Sequence, residues 1–209
     1  MKKLIIIIIV IACVISCTNQ PKSAQTHATT IENLETAIIG ETNASVKYAL
    51  ISNEALYQEQ YGIAAMFAAA SAAEAIHVKN HTLVLEELGG AIEVFPEHKF
   101  SGTLEENIQN AIDGEIEEFT DMYPPMIATA KKDELVSALK TFTFAKKAEE
   151  RHAQLYAESL GLLKAGNSDE ISKIWYVCPD CGNLFNNLIG FEICAICGVN
   201  KEVFITFEK

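Results

Sequence analysis

Basic residues are in short supply. Lys and Arg together number 16 against 28 Asp and Glu, for a formal net charge of −12. They form no basic patch, which argues against nucleic acid as a partner. Proline is scarce as well, at five in 209 residues. Pro21 lies in a polar stretch, Pro96 in a long connection, Pro124-Pro125 within a helical pattern and Pro179 in a cysteine pair. No uninterrupted apolar run reaches the ~20 residues of a membrane-spanning helix. The longest, Leu4–Ile15, has 12. Cysteine is confined to the N-terminus and to one short C-terminal stretch.

What is present starts with a targeting segment. Lys2-Lys3 followed by that apolar run reads as a signal peptide over residues 1–16. Ser16-Cys17 follows it, a small residue before cysteine, and resembles the lipobox of bacterial lipoproteins, although Val14 stands where leucine is usual. The expectation is lipidation at Cys17, an exported chain held at a periplasmic or cell-surface membrane face by its lipid alone, and loss of Cys13 with the leader. A plain secretory signal, or an uncleaved N-terminal anchor, is the alternative. Losing Lys2 and Lys3 takes the net charge from −12 to −14. Residues 17–30 read as a flexible tether.

The chemistry is in a repeated unit. Glu74-Ala-Ile-His77 and Glu149-Glu-Arg-His152 each place a Glu and a His one helical turn apart, on one face. Gly40-Glu41 lies 33 residues before Glu74, and Gly114-Glu115 lies 34 before Glu149. One such motif on a solvated helix means little. Two copies with matching upstream Glu predict four carboxylates and two imidazoles meeting in a bundle core, the ligand set of a di-iron or di-manganese carboxylate protein. The flank Ala64–Ala73 is apolar nearly all round, as in a buried helix. Ionised Glu there needs a counter-charge, which divalent cations supply.

The expected elements are a mainly α, ferritin-like four-helix bundle over residues 31–165, a linker over 166–173 and a small metal-ribbon domain over 174–209. The first helix spans about 31–54, capped by Thr29-x-x-Glu32. The second spans about 59–88, ~45 Å at 1.5 Å per residue, and stops at Gly89-Gly90. The connection over 91–102, with His98 as a surface residue, suits a single crossover. The third helix starts at a Thr103-x-x-Glu106 capping box, puts Glu115 and Glu118 on one face with Glu117 solvated, and kinks or breaks after Tyr123 at the proline pair. The fourth spans about 133–164. His81 and Tyr156 each lie one turn beyond a motif His and either support it or simply pack.

Cys178-Pro-Asp-Cys181-Gly and Cys194-Ala-Ile-Cys197-Gly, 12 residues apart, predict two metal knuckles. Four thiolates suit tetrahedral iron or zinc. A segment this small cannot hold itself together by its core alone. Two disulfides are the competing reading in an oxidising compartment.

Together with Gly40-Glu41-Thr-Asn-Ala44, Gly114-Glu115-Ile-Glu-Glu118, Thr120-Asp-Met-Tyr123 and Trp175-Tyr-Val-Cys178, these stretches resemble rubrerythrin, a ferritin-like di-iron domain followed by a rubredoxin-like domain. The resemblance covers about residues 31–209. It implies that Glu41, Glu74, His77, Glu115, Glu118, Glu149 and His152 bind two irons, with Glu118 the mobile ligand. It also implies that Cys178, Cys181, Cys194 and Cys197 bind a third iron, and that Tyr48 and Tyr123 hydrogen-bond beside the di-iron centre. The implied activity is a peroxidase that reduces hydrogen peroxide to water in oxidative-stress defence, with electrons entering through the Fe(Cys)4 centre. The implied assembly is a head-to-tail homodimer. Ala195 stands where proline is usual. The export signal separates the chain from cytosolic nicotinamide-dependent reductases and leaves its electron donor unassigned. Two other functions compete: a ferroxidase or iron-storage protein, and a structural bundle bearing a zinc ribbon.

Overall fold

The structure, a computed structural model, describes residues 27–97 and 102–209. The expected leader, Cys13, Cys17, most of the tether and His98 lie outside those residues. Helix α1 (Ala28–Tyr57) turns into α2 (Tyr61–Glu87), and after the crossover α3 (Leu104–Glu117) leads through a π-helical turn (Glu118–Met122) into α4 (Tyr123–Lys132) and then α5 (Val136–Lys164). α1 packs on α2, and the α3–α4 rod packs on α5. The result is a four-rod bundle.

Local chemistry explains the ends. Thr103 accepts from the Glu106 N–H at 3.2 Å while the Glu106 carboxylate accepts from the Thr103 N–H at 2.8 Å, so this capping box forms. The one expected at Thr29 does not. α1 already begins at Ala28 behind an uncapped His27, and Thr30 Oγ1 instead donates to Asp133 Oδ2 at 2.7 Å, tying this end to the turn before α5. α2 stops at Gly89, which sits at φ +80°, where glycine carries no Cβ penalty. The rod also does not break after Tyr123. Pro124 and Pro125 sit in the first turn of α4, where missing N–H groups cost least. The carbonyls they cannot serve, and would crowd, belong to Thr120 and Asp121. The widened turn holding those two residues, with the Tyr123 N–H reaching back to Glu118 O, takes up the misfit. The last helix begins at Val136 rather than near Asp133, because Glu134 (φ +58°) closes a tight turn there.

The apolar core is in two parts. One holds Tyr48, Ile51, Phe67, Ile108, Leu155 and Tyr156; the other holds Leu34, Ile38, Leu85, Tyr123, Met126 and Phe142. Every rod contributes to both parts. Between them, at mid-height, each rod carries a buried acidic residue: Glu41, Glu74, Glu115 and Glu149. α2 is long and apolar enough to cross a membrane by composition, but its apolar sides are buried in the bundle.

A 3-10 turn (Ser168–Glu170) leads to a three-stranded antiparallel sheet, β1 (Ile174–Val177), β2 (Leu184–Phe185) and β3 (Ile205–Glu208), in the order β2-β1-β3. Ile171, Trp175 and Val177 join the first core part. Gly62 permits this docking, since a Cβ there would lie 2.7 Å from the Ile171 carbonyl oxygen.

Candidate metal centres

Two overlapping groups of ligand atoms lie at the polar belt. Glu41, Glu74, His77 and Glu149 form one, and Glu74, Glu115, Glu149 and His152 form the other. Glu149 Oε1 is 2.9 Å from His77 Nδ1, and its Oε2 is 2.8 Å from His152 Nδ1. Glu74 divides the same way, Oε2 at 2.9 Å from His77 and Oε1 at 3.4 Å from His152. Glu41 completes the first half and Glu115 the second. The helical i,i+3 spacing that put Glu and His on one face thus produces a pseudo-symmetric pair of half-sites with Glu74 and Glu149 shared.

The imidazoles are aimed from behind. His77 Nε2 lies 3.0 Å from Cys181 O, and His152 Nε2 lies 3.1 Å from Gly182 O. A carbonyl only accepts, so each Nε2 carries a proton and each neutral ring turns its Nδ1 lone pair toward the carboxylates. Those Nδ1 atoms, both oxygens of Glu74 and of Glu149, and one oxygen each of Glu41 and Glu115 are buried without a hydrogen-bond partner. Lone pairs facing lone pairs at 2.8–2.9 Å require cations between them. Carboxylate and imidazole donors in this number suit two iron ions.

Without metal, protons take that place. Burial pushes both histidines down. Glu149, with Glu41 for His77 and Glu74 for His152, overrides it and holds them well above the usual imidazole range. Burial, then Glu149, lifts Glu41 to about 8. Burial, Glu74 and Glu149 raise Glu115. Burial alone would lift Glu149, but the two imidazoles pull it down. Tyr48 donates to Glu115 Oε1 at 2.5 Å, and Tyr123 donates to Glu41 Oε1.

The four cysteines of the small unit are free and converge. Cys178–Cys197 and Cys181–Cys194 sulfur separations are 3.4 and 3.5 Å, so no disulfide links them. A tetrahedron with ~2.3 Å metal–sulfur bonds has edges of about 3.8 Å. The two knuckles match: Gly182 N–H bonds Cys178 O at 3.0 Å, and Gly198 N–H bonds Cys194 O at 2.8 Å, with φ of +74° and +81°. This set suits a mononuclear iron. Its first knuckle rests on the bundle centre through the Cys181 and Gly182 carbonyls and through Asn80 Nδ2, which donates to Asp180 O at 2.8 Å.

The structure brings together Glu41, Glu74, His77, Glu115, Glu149, His152, Tyr48 and Tyr123. Glu118 lies outside the two groups of ligand atoms. That carboxylate opens the π turn, about 4.5 Å along the rod from Glu115, and faces Gly40 on α1. Burial, followed by Glu41 and Glu115, raises its pKa. The ring of Tyr156 stacks 6.0 Å from that of His152, and its hydroxyl is buried and unpartnered. His81 is buried with both nitrogens engaged, by Thr141 and Tyr123. Sequence reasoning missed Asn80 and Thr141. Asn80 lies one turn past His77 and Thr141 about two turns before Glu149, so their helical faces were legible, but not their partners.

A rubrerythrin family profile matches residues 32–160. Rubrerythrin-2 of Clostridium acetobutylicum is 36% identical over 184 residues, covering 87% of this chain and 98% of the relative. Nigerythrin of Nitratidesulfovibrio vulgaris is 34% identical over 181 residues, covering 85% and 86%. A solved structure of nigerythrin in its fully reduced, all-ferrous state superposes with a TM-score of 0.78 at 33% identity, over 85% of this chain and 86% of that one. A bacterioferritin structure from Desulfovibrio desulfuricans, at 20% identity and a TM-score of 0.63, shares the fold. With a profile spanning more than half its length and relatives above 30% identity, the chain belongs to the rubrerythrin family.

Proposed function

We propose that this di-iron oxidoreductase is a peroxidase that reduces hydrogen peroxide to two waters, with electrons entering through the four-cysteine iron. The observation that carries the reading is the seating of the Cys178–Cys181 knuckle on both ligand histidines. Cys181 itself, one bond network away from His77, is a thiolate ligand of the other centre. Storage has no use for such an inlet. When bound, the two bundle irons supply the two electrons that peroxide consumes. The protein's share is to hold two half-sites with shared carboxylates, exclude bulk water by full burial, and fix both imidazoles through backbone carbonyls.

Stopped-flow oxidation of the fully reduced protein tests the reading. Peroxide should react far faster than oxygen, and Cys197→Ser should allow one turnover from the reduced bundle while blocking sustained cycling. Faster reaction with oxygen, with normal cycling by the variant, would instead support a ferroxidase. Native protein should be red; stoichiometric zinc in the four-cysteine site would remove the inlet.

The electron donor is an extracytoplasmic reductant, and the chain is anchored through Cys17. The support is Lys2-Lys3, the apolar run and Ser16-Cys17. Palmitate labelling abolished by Cys17→Ala tests the anchor, and a cytosolic product retaining Met1 would refute it. A head-to-tail homodimer would exchange the small units while keeping their contacts. Mixing Glu74→Ala with Cys197→Ser tests this: restored cycling marks exchange, and no restoration marks docking within one chain.

A further inference from the structure

Reducing peroxide to two waters consumes two protons as well as two electrons, and the bundle centre is sealed. Outside the ligand set, a chain of hydrogen bonds reaches it from a surface groove. It uses one residue from each rod. Thr141 Oγ1 on α5 lies 3.0 Å from His81 Nδ1 on α2. His81 Nε2 lies 3.1 Å from the Tyr123 hydroxyl on α4. Tyr123 in turn donates to Glu41 Oε1 on α1. His81 is fully buried. At the outer end Thr141 lines a surface groove of about 200 Å³ with Asn80, Lys140, Phe144 and Asp180.

The donor order follows from valence. As a metal ligand, Glu41 is ionised and only accepts. The single hydroxyl proton of Tyr123 is therefore committed to Glu41, and His81 Nε2 must donate to Tyr123. A neutral imidazole with its proton on Nε2 has a free lone pair on Nδ1, which accepts the Thr141 hydroxyl proton. All three donors point the same way, from the groove toward Glu41. A buried histidine used only for packing needs both nitrogens satisfied, but it does not need a continuous, uniformly directed chain ending on a metal ligand at one end and at solvent on the other.

We propose that Thr141, His81 and Tyr123 form a proton relay that carries protons from the groove to Glu41 at the di-iron centre. In one transit a groove water gives a proton to Thr141 as the Thr141 proton passes to His81 Nδ1. The Nε2 proton passes to the Tyr123 oxygen, and the Tyr123 proton passes to Glu41 Oε1. One proton enters the site, and hydroxide is left to the bulk. The two hydroxyls then rotate back, and the ring, left as its Nδ1–H tautomer, is reset by proton exchange with water as it opens to the groove: one proton leaves Nδ1 and one joins Nε2. No member needs to hold a charge at rest. Burial, reinforced by His77, depresses His81 to about 3, which keeps the ring neutral and able to donate and accept at once. The relay rests on the peroxide-reduction reading for the fate of the proton.

Thr141→Val keeps the side-chain shape and removes the hydroxyl; Thr141→Ser restores it. Pre-reduced wild type, both variants and His81→Gln are mixed with peroxide in H2O and D2O. The relay predicts a solvent isotope effect in wild type, a rate loss on the order of 10²-fold in Thr141→Val and His81→Gln, the scale of positioned proton transfer, and recovery in Thr141→Ser. Iron content measured on the same samples separates this from lost metal. A second readout needs no activity. In the full chain loaded with zinc, ring ¹⁵N shifts should show His81 as a neutral Nε2–H tautomer, with the Nδ1 shift moving in Thr141→Val and recovering in Thr141→Ser. Wild-type rate and isotope effect in an iron-replete Thr141→Val, or an imidazolium or Nδ1–H ring at neutral pH, would overturn the relay. A wild type inert to peroxide would instead defeat the peroxidase reading, while the ¹⁵N result would still judge the geometry.

Discussion

Glu74 and Glu149 differ from the other carboxylates of the centre in giving one oxygen to each half-site. Removing a shared ligand should therefore damage both metal positions, whereas removing Glu41 should damage the His77 half alone. Glu74→Ala is expected to lose both bundle irons, with affinity down 10–100-fold or more, at least the scale of losing a supporting residue. Glu41→Ala is expected to retain one. Iron per chain, measured after anaerobic loading, distinguishes them; equal losses would show that the carboxylates are not divided in this way. The same residues set a pH dependence in the metal-free protein. Burial and Glu149 lift Glu41 from 4.5 to about 8, and His77 and His152 are also raised by carboxylates. A raised pKa means that the folded state binds more protons than the unfolded one, so stability falls as pH climbs through the interval. Glu149 is shifted the other way, but its contribution is complete above 4.5. Melting temperature of the apoprotein should fall between about pH 5 and pH 8. The metal-loaded protein should not follow this trend, since its ligands are already deprotonated.

Helix ends were legible where side chain and backbone decide the matter together. The Thr103 box formed because Thr103 and Glu106 satisfy each other locally, and Thr103→Ala should cost about 1 kcal/mol, read as a lower melting temperature with metal content unchanged. Thr29 offered the same pattern and failed, because a long-range bond from Thr30 to Asp133 fixes that end instead. The proline pair was correctly seen as a disturbance and wrongly placed. Proline acts on the carbonyls four residues earlier, so the strain surfaces in the turn at Glu118–Met122 and not after Tyr123. That turn also sets where Glu118 and Tyr123 point, toward Gly40 and Glu41 respectively.

Across the whole molecule, the small unit closes over the ligand histidines at Gly182. A Cβ on Gly182 would lie 2.4 Å from His77 Nε2 and 3.1 Å from Ala73 O, at a φ of +74°. Gly182→Ala should keep its four thiolates and its colour but lift the knuckle off the histidines. The left-handed conformation alone costs an alanine about 1–2 kcal/mol. Re-reduction of the bundle irons should slow while the four-cysteine iron still reduces normally. If both rates matched wild type, the knuckle contact would not be the electron inlet.

Ligand chemistry was written in the sequence, because i,i+3 spacing on helices and Cys-x-x-Cys-Gly turns are local geometry that survives any arrangement of the whole. Glu41, Glu74, His77, Glu115, Glu149 and His152 could be named from spacing, and the four cysteines from their tandem pattern. Which carboxylates are shared, that Glu118 lies just outside both groups, that Asn80 and the Cys181 and Gly182 carbonyls grip the small unit, and that Thr141, His81 and Tyr123 line up are products of packing. Each depends on residues from different rods meeting within about 3 Å, and that distance is set by helix rotation, by a π turn and by the close approaches at Gly62 and Gly182. None of these leaves a periodic trace in the chain.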